Sequence, residues 1–193
     1  MEQLQIWEKS LETKKQIRRE ILKKRETLSE QEWQKRSERL TAFLLEQPIY
    51  KESKIIYCYV SYRFEADTWR FIMYSLKSGK RVAVPKVCGN EMKFYYIRNM
   101  DELKEGYRGI FEPPETNEEA TEEGALFIMP LIAFDRKNHR LGYGGGFYDR
   151  YLEKHPNHYK IGIGFSFQEK EYIPVEQYDI NPDKIWTDEG EIQ

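Results

Sequence analysis

Cysteine is scarce: Cys58 and Cys88 are the only two in 193 residues. That excludes a disulfide framework and offers no metal-binding cysteine spacing; both read as packed thiols. The three histidines add little. His155 and His158 have ligand-like spacing, but Pro156 lies between them and no third ligand is near in sequence, so both read as structural. The opening MEQLQIWEKSLETKK holds no apolar stretch of signal-peptide length, so no secretion signal is expected. The longest nearly apolar stretch, residues 124–134, falls short of the roughly 20 residues that span a bilayer. Neither charge sign dominates, since 31 Lys+Arg against 33 Asp+Glu leave −2, which argues against a general nucleic-acid binder. No internal repeat or low-complexity segment is present. A cytoplasmic protein with no membrane or nucleic-acid partner is expected.

What is present suits a folded domain. The 14 Tyr, 10 Phe and 4 Trp argue against disorder, and the length suits a single domain over 1–193. Leu11, Ile17, Ile21, Leu22 and Leu28 fall near one helical stripe. Ser29 followed by Glu32 reads as a capping box opening a second helix, to about residue 47, stopped by Pro48. Strands are expected over 54–63, 81–87, 92–97, 125–134 and 159–167. Helices are expected over 66–78, with Gly79 past its end, and over 147–154. Residues 101–123 read as a long loop, and the tail after Pro174 as irregular and acidic. Strands alternating with helices predict an α/β fold with a mostly parallel central sheet and helices on both faces. Ligands in such sheets bind beyond the carboxyl ends of the strands.

The most informative stretch is RLGYGGGFYDRYL, residues 140–152. Four of the chain's 12 glycines, Gly142, Gly144, Gly145 and Gly146, lie within five residues. Glycine reaches positive φ without strain and lets amides point into one concavity. A helix begins at once, and its free N–H groups favour an anion. Arg140 adds a forked cation suited to phosphate. Asp149, inside that helix, could hold Mg²⁺ against the phosphate. The competing reading is a flexible surface loop. The pattern is neither a P-loop nor GxGxxG.

The segment MPLIAFDRKNHRLGYGGGFYDRYL, residues 129–152, closely resembles the signature of the 5-formyltetrahydrofolate cyclo-ligase (methenyltetrahydrofolate synthetase) family. The likeness extends from Lys14 to about Thr187. It implies a three-layer fold of the NagB/RpiA/CoA-transferase type. It also implies an activity: ATP- and Mg²⁺-dependent cyclisation of 5-formyltetrahydrofolate to 5,10-methenyltetrahydrofolate, releasing ADP and phosphate. ATP is then a co-substrate, Mg²⁺ the metal, and the partners are small molecules. A monomer is the expected state, with a homodimer as the alternative.

The resemblance assigns residues one by one. TKKQIRREI matches the segment whose Lys and Arg meet the ATP phosphates, here Lys14 and Arg18; the residues alone would equally allow a solvated face. Lys15 and Arg19 are expected in solvent. Arg140 through Tyr148 (Arg140, Leu141, Gly142, Tyr143, Gly144, Gly145, Gly146, Phe147, Tyr148) form the implied ATP loop, with Arg140 and Asp149 as the implied catalytic pair. Folate is implied to contact Glu65, through the pterin's amino-pyrimidine edge, with Val60, Tyr143, Gly144, Gly145, Gly146 and Phe147 around it. Without the likeness Glu65 would read as an acid at a helix N-terminus. Asp179 matches an aspartate that joins Asp149 at Mg²⁺. Tyr107 or Phe111 in the long loop could cover folate or simply pack, and His139 could touch phosphate or simply sit in a polar loop.

The chain departs from the family pattern at two positions. Leu131 stands where the family has glycine, which could narrow the site or merely repack a strand end. Asn138 replaces a turn glycine and, tolerating the left-handed region, is expected to keep the turn. A Lys or Arg that some relatives carry in the loop is absent at Tyr143 and Gly145. Two rival readings remain open: ATP-dependent activation of a different pterin, amide or carboxylate, and a non-catalytic nucleotide- or RNA-binding relative.

Overall fold

The described residues open on a helix whose two faces have different tasks. The computed structural model describes residues 13–192, so Leu11 lies outside the described residues. Thr13 caps helix α1, Lys14–Glu26, by accepting from the Gln16 amide, while the Gln16 side chain accepts from the Thr13 amide. Ile17 and Ile21 are fully buried against Ile132, Ala133, Leu141 and Ile173. Helix α2, Glu30–Glu46, is capped by Ser29, which accepts from the Glu32 amide. Pro48 does not merely stop α2. It occupies the first turn of a short helix α3, Pro48–Glu52, where its missing N–H costs nothing.

Strands then alternate with helices. Strand β1, Ile55–Cys58, is followed by helix α4, Trp69–Lys77, strand β2, Arg81–Cys88, and strand β3, Glu91–Ile97. A small hairpin, β4, Lys104–Glu105, with β5, Phe111–Glu112, lies within the long loop. Strand β6, Leu126–Pro130, leads to a two-stranded ribbon, β7, Ala133–Phe134, with β8, Arg140–Leu141. Helix α5, Phe147–Lys154, and strand β9, Tyr159–Gly164, follow. The expected strands 54–63, 125–134 and 159–167 are shorter than the apolar runs, because strand ends give way to site loops. The helix expected over 66–78 starts at Trp69, since residues 61–68 are held by side-chain bonds such as that from the Ser61 amide to Thr68 Oγ1 (2.9 Å).

The tail is irregular over 175–183, as expected, but not beyond. It supplies β10, Lys184–Thr187, parallel to β9, and β11, Gly190–Glu191, antiparallel to β10. Its Ile185 and Trp186 are buried, and two apolar residues between polar ones were too short a signal to read. Among the described residues the main sheet therefore has seven strands in the order β11-β10-β9-β6-β1-β2-β3. Its four inner pairings are parallel and its two edge pairings antiparallel.

Alternation along β1 divides the core. Ile56 and Cys58 point to one face, covered by Leu40 and Leu44 of α2 and Phe71 and Ile72 of α4. Tyr57 points to the other, where Phe94, Phe127 and Met129 meet Tyr151 and Leu152 of α5. Helices thus cover both faces, as the alternation predicted. From central β1 the chain winds outward to β2 and β3, then crosses back to β6 and continues the other way. In open α/β sheets ligands bind at such a reversal, beyond the carboxyl ends of the strands, here β1 and β6.

Leu131 follows β6 and is buried, filling the space above two glycines of β9. A Cβ at Gly164 would stand 2.7 Å from Leu131 Cδ1, and one at Gly162 would stand 3.0 Å from Cδ2. The departure from the family glycine is therefore a repacked strand end. Asn138 takes φ 61° in the turn between β7 and β8, as anticipated.

Candidate active site

Every expected site residue other than Lys14, Arg18 and Asp179 lies on the two segments leaving β1 and β6, and α1 and the tail close over them. After β6 the ribbon β7–β8 aims the glycine loop. Buried Asp135 anchors that ribbon's turn, accepting from the Lys137, His139 and Ile173 amides. His139 Nδ1 lies 2.9 Å from Asp135 Oδ2, so it braces the turn. Leu141 is buried under α1 and fixes the loop's entry.

Arg140 is buried, with Nη2 donating to Asp149 Oδ1 (2.7 Å) and Nε to the Ile180 carbonyl (3.0 Å). Burial pulls its guanidinium below the usual value, and the Asp149 charge opposes this. The fit leaves no room at Gly142, where a Cβ would lie 2.9 Å from Arg140 Nη1. Gly144, at φ 95°, adopts a conformation that side chains disfavour and turns toward the Arg18 guanidinium. Gly145 is exposed, and Gly146 stands at the N-cap of α5.

Arg18 reaches this loop, and Lys14, one turn earlier, reaches the tail. Arg18 Nε donates to the Gly142 carbonyl (2.8 Å), and Lys14 Nζ pairs with Asp179 (2.6 Å) and Glu176 (3.2 Å). Lys15 and Arg19 are exposed, as expected. The loop, the first helix and the tail thus carry three cations, Arg140, Arg18 and Lys14, and three carboxylates, Asp149, Asp179 and Glu176. Each cation is held by an acceptor that an anion could replace.

Asp149 receives Arg140 and the Ile180 amide on Oδ1, and Asp179 receives Lys14 and the Glu176 amide on Oδ2. Each keeps its other oxygen unbonded among the described residues. No group of three or more His, Cys, Asp or Glu gathers for a metal among those residues. Two carboxylate oxygens still suit Mg²⁺, which prefers one or two carboxylates with phosphate and water.

On the β1 side, Val60 is buried in the core and Glu65 closes the turn that follows. Glu65 Oε2 accepts from the Tyr62 amide (2.7 Å), and its backbone carbonyl accepts from Trp33 Nε1 (2.6 Å). Oε1 accepts a short hydrogen bond from the Tyr143 hydroxyl. Burial raises the Glu65 carboxyl above its ordinary value, while the charge of Arg25 and the two bonds to Oε1 and Oε2 pull it back.

Arg25 is the residue that sequence reasoning missed. Among so many basic side chains on α1 it looked solvated, yet it is buried. Its Nη1 donates to Tyr143 Oη (2.7 Å) and its Nε to the Phe64 carbonyl (3.0 Å). The available signal was its place on the inward stripe, four residues after Ile21.

Aromatic rings line the rest. Tyr107 meets Phe147 edge-on at 6.0 Å, and Phe111 meets Trp69 at 5.3 Å. Tyr148 lies between the two cores, and burial pushes its hydroxyl well above its ordinary value. His155 and His158 lie away from these residues: His155 stacks on Tyr151, and His158 is tilted against Tyr57 and Phe127. Cys58 is buried, whereas Cys88 is only half-buried on the long β2 strand and so is not the core thiol expected. No helix among the described residues is long and apolar enough to cross a membrane.

Comparison with known proteins agrees with the resemblance read from the glycine loop. A model of the 5-formyltetrahydrofolate cyclo-ligase family matches residues 10–188. A 5-formyltetrahydrofolate cyclo-ligase of Haemophilus influenzae is 32% identical over 175 residues, covering 86% of this chain and 93% of that one. The enzyme of the same name from Mycoplasma pneumoniae is 33% identical over 182 residues, covering 91% and 99%. The NMR structure of Aquifex aeolicus 5,10-methenyltetrahydrofolate synthetase superposes with a TM-score of 0.83 at 35% identity, covering 92% and 91% of the two chains.

Proposed function

Because the chain belongs to the 5-formyltetrahydrofolate cyclo-ligase family, we propose how its residues carry out the ATP-dependent closure of 5-formyltetrahydrofolate to 5,10-methenyltetrahydrofolate. The obstacle is chemical. A formamide carbon is a poor electrophile and its oxygen a poor leaving group. Transfer of the γ-phosphoryl group to the formyl oxygen forms an O–P bond and breaks the β–γ anhydride, releasing ADP. The neighbouring folate amine then attacks the activated carbon, loses its proton, and expels phosphate as the C–O bond breaks.

Phosphoryl transfer asks the protein mainly for positioning and charge stabilisation. The amides of 142–146 and the cations Arg140, Lys14 and Arg18 would take the phosphates, with the Gly142 carbonyl and the Asp179 carboxylate released as ligands exchange. Asp149 and Asp179 would hold Mg²⁺ through their unbonded oxygens, and the metal would neutralise phosphate charge. Arg140 keeps Asp149 aimed. Glu65 would accept the pterin's amino-pyrimidine edge, above Val60 and beside Phe147, and no protein nucleophile is needed.

The observation that carries this reading is that Arg18 bonds to the glycine loop, Arg140 to Asp149 of the helix after it and Lys14 to Asp179 of the tail, with Glu65 bonded to Tyr143 of the loop. The test is direct. Protein, Mg-ATP and 5-formyltetrahydrofolate are mixed, and the near-ultraviolet band of the methenyl product is followed. Its growth only with all three components is the expected result; folded protein that forms no band removes the reading.

A further inference from the structure

Two buried groups of opposite charge face each other here through a single phenol. The Arg25 guanidinium donates to Tyr143 Oη (2.7 Å), and the Tyr143 hydroxyl donates in turn to Glu65 Oε1. A hydroxyl can accept once and donate once in this way, so the chain has one direction. Half of Tyr143's surface is open to solvent, but its hydroxyl end is enclosed between these partners. The second arm of Arg25 ties the Phe64 carbonyl, next to Glu65 in the chain, at 3.0 Å. A single guanidinium therefore braces both the backbone beside Glu65 and the phenol that touches its carboxylate.

We infer that Arg25, acting through Tyr143, is a positioning residue that holds the Glu65 carboxylate ionised and oriented for the folate ring. This rests on the reading of Glu65 as the acceptor of the pterin edge. A carboxylate accepts two donors from an amino-pyrimidine only while ionised. The titratable and charged groups facing Glu65 are Arg25 from α1, Tyr143 from the glycine loop, Tyr59 beyond β1 and Tyr148 from α5. Arg25 is the only cation among them, so it alone offsets burial by charge. The tyrosines stay protonated, since burial and the nearby Glu65 charge raise them. Tyr143 belongs to the glycine loop, so the same bridge ties the seat of the folate to the loop assigned to the nucleotide.

Four variants test this: Tyr143→Phe, Arg25→Met, Arg25→Lys and Glu65→Gln. Each is assayed for the KM of both substrates, for kcat, and for the pH dependence of kcat/KM for 5-formyltetrahydrofolate. Tyr143→Phe removes one hydrogen bond to a charged group and should raise the folate KM about tenfold. In Tyr143→Phe and Arg25→Met the acid limb of the profile should move to higher pH, because the ionised form of Glu65 loses a stabilising partner. Arg25→Lys keeps the charge and should return the limb toward its original position.

A folate KM and acid limb unchanged in Tyr143→Phe would overturn the inference. If Arg25→Met does not fold, Tyr143→Phe and Arg25→Lys decide alone. Glu65→Gln separates the two levels of the argument. An unchanged folate KM there removes the assigned role of Glu65 itself. A raised KM there, with Tyr143→Phe unaffected, removes only the positioning role of Arg25 and Tyr143.

Discussion

Helix α5 begins in one kind of environment and ends in another. Its first turn carries Asp149 against Arg140 and the Ile180 amide, beneath a loop with positive φ at Gly144 and Gly146. Its later turns carry Tyr151 into a dry aromatic cluster. There Tyr151 lies 4.8 Å from Phe94 and 5.9 Å from Phe127, ring centre to ring centre. At the first end each contact is between charged or polar groups that an anion or metal can displace. At the other end the contacts are dispersion and apolar burial, which no ligand replaces. Eight residues of helix thus join a region built for exchange to one built for permanence.

The comparison can be broken most forcefully at the aromatic end. Phe127→Ala empties a fully buried site and should cost about 3–5 kcal/mol of unfolding free energy, read by urea denaturation. The folate KM of the protein that remains folded should not change; a large change would mean that the two ends are not separable. At the charged end the signature reverses. Asp149→Asn should lower turnover about 10²–10³-fold while the far-ultraviolet spectrum and melting cooperativity stay as in the parent. Full Mg-ATP-dependent activity in that variant would end the metal assignment.

Smaller effects sharpen the contrast. Gly145→Val places a branched side chain at the amide cradle, where a Cβ already meets the Phe147 ring at 3.0 Å. The ATP KM should rise about tenfold or more, as expected when a charge-assisted bond is lost. The smallest effect belongs to His158, buried beside Tyr57 and Phe127, whose burial lowers its pKa from 6.5. The unfolded chain then takes up a proton that the folded chain refuses. Stability should be complete above about pH 6.5 and fall as pH drops below it. Urea titrations at several pH values should show this slope, and His158→Phe should flatten it.

Much of this division was readable from residue order. The switch from helical spacing at Ile17 and Ile21 to the β-rich run at 55–60 marks a real boundary, and the crowded glycines mark the real loop. The alternation of strands and helices was enough for a parallel sheet covered on both faces. Three things were not legible. Strand β10 is four residues long and gains its place from pairing with β9, a contact across the fold. Arg25 is chemically identical to its solvated neighbours, and only packing of α1 on the loop distinguishes it. Leu131 became interpretable once Gly162 and Gly164 were seen beneath it, because volume is shared between strands and not along one. What escaped was in each case a property of neighbours far apart in the chain.

The bond from Lys14 to Asp179 spans 165 positions, and β11 ends at Glu191. A ribosome makes this chain from its amino end, so α1 emerges long before its carboxylate partner exists. During synthesis Lys14 waits without the tail carboxylates that pair with it, and the sheet lacks β10 and β11. The contact that fastens α1 to the tail therefore closes late, after most of the sheet between its two partners has been made.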